Sequence, residues 1–327
     1  MSRFKKIILS LAIITLILLA IFLLGPRIPV DTTINPITLP NTPAELSAYV
    51  AAREAAFTDI VPNTEATIIW ADPANPAPTE YVVLYMHGFS ATRQEAAPLS
   101  DNVAQALGAN LFYPRLTGHG RTGPAMTTAS VNAWLNDTYE AYQIATKLGQ
   151  KVVIIATSTG ATLTTWLANQ PENDQLHALI LISPNYGPRN PQAEILLLPW
   201  GQQIGRLVGG PERAWEGYTP EHELYWTNRY PIEGVFPMIA LVNLIRNTNL
   251  DQITTPTLAI YSPDDQVVSP TAIEDTLQRF TAATVTTSDF PHKNYPDNHV
   301  NVGDILGPNN TAPITQQITA FVRQQED

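Results

Sequence analysis

Six short apolar runs recur along the chain, and helix-like stretches separate most of them. The runs cover 81–86, 109–113, 152–156, 178–182, 257–261 and, more weakly, 283–287. Helical spacing of apolar residues is found at 95–107, 131–148, 271–280 and 315–325. Continuous apolar runs of this length are typical of parallel strands that are buried on both faces. The alternation therefore predicts an α/β fold, with a mostly parallel sheet and helices on both of its faces.

One connection between these runs is much longer than the others. About 70 residues separate the run that ends near Ser183 from the run that begins near Thr257, whereas connections in compact domains usually have only a few residues. This length predicts an inserted lid at about 185–255. Its aromatic residues cover either an apolar pocket or the small core of the insert itself, and they are Trp200, Trp215, Tyr218, Tyr225, Trp226, Tyr230 and Phe236.

The N-terminus has three basic residues followed by an apolar stretch, 7–24, which only Ser10 and Thr15 interrupt. As a helix this stretch would be about 27 Å long, close to the thickness of the hydrocarbon layer of a membrane. No small-x-small cleavage site ends it, so we expect a transmembrane anchor over 1–27 rather than a cleaved signal peptide. Three cations before the span and one after it predict a cytoplasmic N-terminus and a catalytic domain on the extracytoplasmic side.

The next stretch, 28–77, is rich in Pro, Thr and Asn. It contains a helix-like patch at 44–57 and a strand-like patch at 66–70. Both a stalk and an N-terminal extension packed on the domain agree with this pattern. We expect the catalytic domain itself to span 78–327.

Charge and cysteine content exclude several classes of function. The formal net charge is −11, and because the first 27 residues hold four cations and no acid, the rest of the chain carries −15. Such a surface lacks the basic patch that nucleic-acid binding needs. The chain has no cysteine, which excludes disulfides, thiolate nucleophiles and cysteine metal sites.

A serine stands where a buried strand meets a helix. The run 152–156 leads into Thr157, Ser158, Thr159 and Gly160, and a helix-like stretch follows at 161–169. A serine on such a tight turn has its hydroxyl held out of the sheet, and its neighbours must be small because the backbones crowd there. The usual motif is G-x-S-x-G, in which Ala156 replaces the first glycine. The pattern indicates Ser158 as a nucleophile.

A serine hydroxyl needs a base to take its proton and an acid to orient that base. Two carboxylates follow the run 257–261. We expect Asp265 to be the acid, since Asp264 suits a turn or helix cap better. Two histidines follow the last run, and His299 is favoured over His292 because it lies closer to the C-terminal helix.

An oxyanion hole is the third requirement of such a site. Gly88 permits a turn after the run 81–86, so the backbone N–H of Phe89 can face that of Thr159. His87 precedes the nucleophile and is expected to be structural. His119 has no second histidine or carboxylate at ligand spacing, so it is expected to be a structural loop residue rather than a metal ligand.

These motifs together resemble the α/β-hydrolase superfamily over about residues 80–325. Within it, the chain looks similar to the monoacylglycerol lipase and serine aminopeptidase branch and to bacterial carboxylesterases. The motifs are 87–89, 114–120, 158–160, 265–268 and 299–300. The sequence departs from the family pattern at Ala156 and at Asn298, which stands where a glycine usually precedes the histidine.

The resemblance implies Ser158, Asp265 and His299 as the catalytic triad, Phe89 and Thr159 as oxyanion donors, and no cofactor. We therefore expect a serine hydrolase that cleaves carboxylic esters through an acyl-enzyme. The aromatic lid and the membrane tether favour a substrate with an apolar acyl chain, such as a monoacylglycerol or a lysophospholipid.

Two other functions stay open at this point. One is an aminopeptidase-type amide hydrolase, in which a lid carboxylate such as Glu221 or Glu223 would recognise a free amine. The other is a non-catalytic, membrane-tethered binding module with the same fold, because function depends on sites and not on folds.

Overall fold

The computed structural model describes residues 3–326 and contains a central sheet of seven strands. The strands of the chain are β1 (Thr67–Ile69), β2 (Thr79–Met86), β3 (Asn110–Tyr113), β4 (Gly149–Thr157), β5 (Leu176–Ile182), β6 (Glu212–Ala214), β7 (Arg229–Pro231), β8 (Thr257–Ile260) and β9 (Val285–Ser288). The order across the central sheet is β1-β3-β2-β4-β5-β8-β9, and β6 and β7 form a separate antiparallel pair. Every neighbouring pair in the central sheet is parallel except β1 and β3.

The described chain has helices on both faces of this sheet, at the N-terminus and in the connection between β5 and β8. They are α1 (Arg3–Leu23), α2 (Pro43–Glu54), α3 (Leu99–Leu107), α4 (Val131–Leu148), α5 (Thr159–Ala168), α6 (Gly201–Gly209), α7 (Pro220–Tyr225), α8 (Val235–Asn247), α9 (Pro270–Leu277), α10 (Gly303–Leu306) and α11 (Pro308–Gln324). Alternate side chains of β2 and β4 enter opposite cores, as the pleat of a strand requires. One core is shared with α4, α5, α8 and α9, and the other with α3 and α11. The predicted fold class is thereby confirmed.

The two central strands, β2 and β4, bring the functional turns to one edge of the sheet. Their residues pair in parallel from Thr79 with Gly149 to Met86 with Ala156. Because both strands end together, His87 and Ser158 emerge at the same edge. This carboxyl edge is where ligands of open α/β sheets bind.

The segment 28–77 makes extensive contacts with the sheet domain. Leu46 and Val50 of α2 are buried in the larger core, and β1 extends the sheet by pairing with β3. The carboxylate of Glu54 accepts two hydrogen bonds from the guanidinium of Arg115, at 2.7 and 2.9 Å, and one from the backbone N–H of Ala66 at 2.9 Å. These contacts attach the segment to the loop after β3. The division into anchor, extension and hydrolase domain stays a prediction.

The N-terminal helix α1 has no buried residue. Its 21 residues have a mean hydropathy of 2.8 in the most apolar window, which is enough to cross a membrane. Among residues 3–326 it is the one helix with this property. Membrane anchors and signal sequences share such length and composition.

We expect the ion pair between Arg115 and Glu54 to stabilise the domain strongly. The two side chains are only 4% and 12% exposed, so Arg115→Ala leaves a carboxylate buried without its cation. The free energy of unfolding in urea should fall by about 3–5 kcal/mol. Arg53→Ala is the matched control, because Arg53 pairs with Glu140 while 55% exposed and should cost at most about 1 kcal/mol. Equal losses in the two variants would contradict this prediction.

Candidate active site

Ser158 occupies a strained turn between β4 and α5. Its backbone has φ 50° and ψ −113°, a region that residues other than glycine rarely adopt. A Cβ at Gly160 would lie 2.2 Å from the carbonyl oxygen of Met86, so only glycine fits there. The side chain of Ala156 packs into the core, and this explains why alanine is tolerated where the motif usually has glycine.

A chain of two hydrogen bonds joins Asp265, His299 and Ser158. The Nδ1 atom of His299 lies 2.7 Å from Oδ2 of Asp265, and its Nε2 atom lies 3.0 Å from Oγ of Ser158. Asp265 follows β8, whereas His299 stands in the loop between β9 and α10. The structure thus brings together the three residues that the sequence pattern indicated.

The hydrogen bonds of Asp265 orient it toward His299 and make the imidazole of His299 more basic. Asp265 is fully buried, and its Oδ1 atom accepts the backbone N–H groups of Val267 and Val268 at 2.8 and 2.9 Å. Burial alone would lower the pKa of His299, but the charge and the hydrogen bond of Asp265, together with the nearby acids Asp297 and Glu95, raise that pKa above its ordinary value.

The alternative residues lie outside this chain of hydrogen bonds. Asp264 is exposed and forms an ion pair with Lys293. His292 is also exposed, and its backbone N–H donates to Oδ1 of Asn310 at 2.9 Å. Asn298 has a φ of 50°, a left-handed conformation that asparagine adopts more readily than most residues. It can therefore replace the usual glycine before the histidine.

The turn that follows β2 lies directly against Ser158. A Cβ at Gly88 would be 3.2 Å from the Cβ of Ser158. His87 holds this turn with both ring nitrogens, since Nδ1 lies 2.9 Å from the carbonyl oxygen of Gly88 and Nε2 accepts the backbone N–H of Leu116 at 3.2 Å. Burial lowers the pKa of His87 to about 4, so the ring stays neutral. Because Nε2 accepts a hydrogen bond, the ring proton is on Nδ1, which donates to the carbonyl oxygen of Gly88.

His119 has a packing role in the described structure. Its ring lies 5.1 Å from that of His87, 5.8 Å from that of Phe89 and 5.6 Å from that of Trp134, measured between centroids. Within residues 3–326 there is no group of three or more histidine, cysteine or acidic side chains that could hold a metal ion.

Comparison with known proteins identifies the family. The model of the family described as serine aminopeptidase, S33, matches residues 77–294. The chain belongs to this family. It is therefore a serine hydrolase of the α/β-hydrolase fold, as the resemblance implied, and the non-catalytic alternative is set aside.

Other members of the fold are similar over most of the chain. A thermostable monoacylglycerol lipase from Bacillus sp. (strain H-257) is 27% identical over 195 residues, which cover 58% of this chain and 72% of the lipase. Among solved structures, one from a study of the metagenome-derived lipolytic enzymes LipS and LipT has a TM-score of 0.65 at 20% identity, covering 81% of this chain and 99% of that one. A soluble variant of the Saccharomyces cerevisiae monoglyceride lipase has a TM-score of 0.57 at 12% identity, with coverages of 79% and 91%.

Glu95 is a buried acid beside the site of this S33 hydrolase, and the sequence pattern did not indicate it. Its Oε1 atom accepts the backbone N–H of Gly88 at 2.5 Å and the hydroxyl of Tyr85 at 2.8 Å. Burial raises the pKa of Glu95 to about 8, so the carboxyl is mainly neutral at pH 7. The only signal in the sequence was an acid seven residues after Gly88, at a position that resembles the start of an exposed helix.

Ser158 is only 7% exposed, and the connection between β5 and β8, which is the predicted lid, contacts two loops near it. The ring of Tyr230 in this connection lies 5.6 Å from that of Phe89, and Tyr218 stacks on Tyr295 at 4.7 Å. The loop after β2, which carries Phe89, and the loop after β9, which carries Tyr295, therefore both touch the lid, and we call them the catalytic-edge loops. The Glu223 carboxylate is hydrogen-bonded within the lid, to the backbone N–H of Gly217 and to Asn228.

We expect Glu95 to make stability depend on pH. Its pKa of about 8 in the folded protein exceeds the 4.5 of an ordinary glutamate, so between these values the folded state binds more protons than the unfolded state. Stability should then fall as the pH rises through this window, by roughly 1.4 kcal/mol per pH unit. Urea unfolding at pH 5, 6.5 and 8 should show wild type losing stability relative to Glu95→Gln.

The control for this measurement is Glu221→Gln, which removes an exposed carboxylate of the lid. Its difference from wild type should stay nearly constant over the same pH range. A pH-independent difference between wild type and Glu95→Gln would refute the assignment of a neutral Glu95.

Proposed function

We propose that this protein hydrolyses carboxylic esters through an acyl-enzyme on Ser158, with His299 as the base and Asp265 as the acid that orients it. The observation that carries this proposal is the hydrogen-bond chain from Asp265 through His299 to Oγ of Ser158. Its two distances match those expected of a nucleophile and its general base.

The geometry supports the following sequence of steps. Nε2 of His299 takes the proton as Oγ of Ser158 attacks the acyl carbonyl, and the carboxylate of Asp265 stabilises the imidazolium that forms. Collapse of the tetrahedral intermediate breaks the ester bond, and His299 returns the proton to the departing alkoxide. Water then attacks the acyl-enzyme with His299 again as the base, which releases the acid and restores Ser158.

The backbone N–H groups of Phe89 and Thr159 are the proposed oxyanion donors. Thr159 is the first residue of α5, so its N–H belongs to a helix N-terminus, which favours negative charge. Phe89 follows Gly88, whose backbone packs against Ser158. A neutral Glu95 can hold this turn by accepting the N–H of Gly88 without adding a negative charge next to the developing oxyanion.

An ester with an apolar acyl chain, such as a monoacylglycerol or a lysophospholipid, is the proposed substrate class. The Bacillus relative is described as a monoacylglycerol lipase, and the lid contributes aromatic side chains at both catalytic-edge loops. The family description also includes aminopeptidases. Recognition of an amine by Glu221 or Glu223 is less well supported, because both residues are exposed and the carboxylate of Glu223 already binds groups of the lid.

For the location of the enzyme, we propose that α1 is an uncleaved anchor with a cytoplasmic N-terminus. The basic residues Arg3, Lys5 and Lys6 precede its apolar stretch, whereas Arg27 alone follows closely. The catalytic domain would then lie on the extracytoplasmic side of the membrane, close to lipid esters.

Covalent labelling by a fluorophosphonate tests the assignment of the nucleophile. Wild type should be labelled at Ser158, and Ser158→Ala should lose both the label and at least about 10⁴-fold in kcat. Ser47→Ala on α2 is the control and should react like wild type. A folded wild-type protein that does not react would refute the proposed mechanism.

A panel of p-nitrophenyl esters with acyl chains of 2 to 16 carbons tests the substrate class. If the lid provides an apolar acyl site, kcat/KM should rise with chain length beyond the shortest esters, because each buried methylene contributes about 0.8 kcal/mol at most. An optimum at two carbons would contradict the apolar acyl site. Hydrolysis of aminoacyl p-nitroanilides alone would favour the aminopeptidase alternative.

A further inference from the structure

The lid and the N-terminal helix are in direct contact at Trp200. The backbone N–H of Trp200 donates to the carbonyl oxygen of Pro26 at 2.8 Å, and its indole Nε1–H donates to that of Ile21 at 3.1 Å. Nearby, the guanidinium of Arg27 donates to the carbonyl oxygen of Leu197 at 2.9 Å. Because Ile21 lies in the last turn of α1, these bonds hold the lid at the end of the apolar helix.

The contact at Trp200 depends on a glycine in its partner segment and on an unusual backbone conformation at Trp200 itself. A Cβ at Gly25 would lie only 2.0 Å from Nε1 of Trp200, so the indole packs on the bare backbone of a glycine. The backbone of Trp200 has a φ of 65°, which is rare for a bulky residue and persists only where surrounding contacts enforce it. Trp200 also starts α6, and its carbonyl oxygen accepts the N–H of Ile204 at 2.9 Å.

The part of the lid next to this contact exposes apolar side chains to solvent. On α6, Leu207 is 86% exposed and Val208 is 81% exposed. We call the following five exposed residues the lid apolar surface: Ile195, Leu198, Trp200, Leu207 and Val208. An apolar surface of this kind on a folded domain usually marks an interaction site.

We propose that the lid apolar surface docks on the lipid bilayer that α1 enters, with Trp200 at the boundary between lipid and water. The inference rests on the proposed anchoring role of α1. Continuity with α1 identifies the partner, because Trp200 is hydrogen-bonded to the end of that helix, and tryptophan is enriched at membrane interfaces. A short helix that exposes apolar residues next to a membrane inserts them about 5–10 Å into the boundary region.

The docking is apolar and not electrostatic. The chain after residue 27 carries a formal charge of −15, so anionic lipids do not attract it, and Arg206 of α6 is already paired with Glu233 at 2.7 Å. Zwitterionic phosphatidylcholine therefore suffices, and added salt does not release the lid. The same lid touches the loops that carry Phe89 and Tyr295, so its docking would hold the surroundings of Ser158 close to the lipid.

Site-specific fluorescence tests this inference, and the absence of cysteine from the chain makes the labelling unambiguous. The full-length Leu207→Cys variant carries an environment-sensitive nitrobenzoxadiazole label and is reconstituted into phosphatidylcholine vesicles. The emission of this label should lie at shorter wavelength than that of the free label in aqueous buffer without detergent. Iodide in the buffer should quench the bound label several-fold less than the free label. Nitroxide lipids labelled near the headgroup should quench it instead.

The matched control is Gln150→Cys with the same label. Gln150 is exposed near the start of β4, at the opposite end of the strand from Ser158, and the seven residue rises up to Thr157 separate it from that end by about 23 Å. Its label should keep an aqueous emission and full iodide quenching. Circular dichroism checks that both variants are folded.

The outcomes separate this inference from the proposals on which it rests. If both proteins sediment with the vesicles but their labels give the same emission and the same quenching, the docking of the lid is refuted while the anchor stands. If neither protein sediments with vesicles, the anchor and the docking are both refuted. Neither result depends on ester hydrolysis, so a failure of the proposed reaction would be detected separately by the fluorophosphonate experiment.

Discussion

The close approach of the ends of β2 and β4 is the constraint on which the site depends. Met86, the last residue of β2, pairs with Ala156, and β4 ends one residue later at Thr157. The turns that follow the two strands must therefore pass each other almost in contact. Gly160 faces the carbonyl oxygens of Met86 and His87, and Gly88 faces the side chain of Ser158. The backbone of these turns can approach Ser158 this closely, as the proposed oxyanion hole requires, only because these two positions lack a side chain.

Around this contact, buried polar groups satisfy one another. Glu95 accepts hydrogen bonds from Gly88 and Tyr85, and the hydroxyl of Tyr85 lies 3.0 Å from Oγ1 of Thr157. Asp265 has backbone donors on one oxygen and His299 on the other. Groups that are buried without partners cost free energy, whereas satisfied networks fix a single geometry. The strained backbone of Ser158 is held in place by this surrounding structure.

The lid contacts both the loops near Ser158 and the N-terminal helix. Through Tyr230 and Tyr218 it touches the loops that carry Phe89 and Tyr295, and through Trp200 it touches Ile21 and Pro26. A single insert between β5 and β8 therefore contacts both the loops near Ser158 and the proposed membrane anchor. The proposed docking on the bilayer would give the exposed Leu207 and Val208 an apolar partner.

The sequence by itself determined the features that depend on neighbouring residues. Buried strands and amphipathic helices leave a local periodicity, so the strand that carries Ser158 and the glycine turn after β2 could be predicted from short segments. The sequence favoured His299 over His292, but no local pattern could show that its ring meets Ser158, because the two residues are 141 positions apart. Glu95 resembled an ordinary surface acid at a helix start, and only packing shows that it is buried.

Tertiary structure also decided how distant segments meet. The hydrogen bonds of Trp200 with Ile21 and Pro26 join residues more than 170 positions apart, and the ion pair of Arg115 with Glu54 joins the N-terminal segment to the loop after β3. Such contacts follow from the folding of the whole chain, which places side chains together according to sheet register and helix packing. Local sequence encodes which elements form, and their packing decides which side chains become a site.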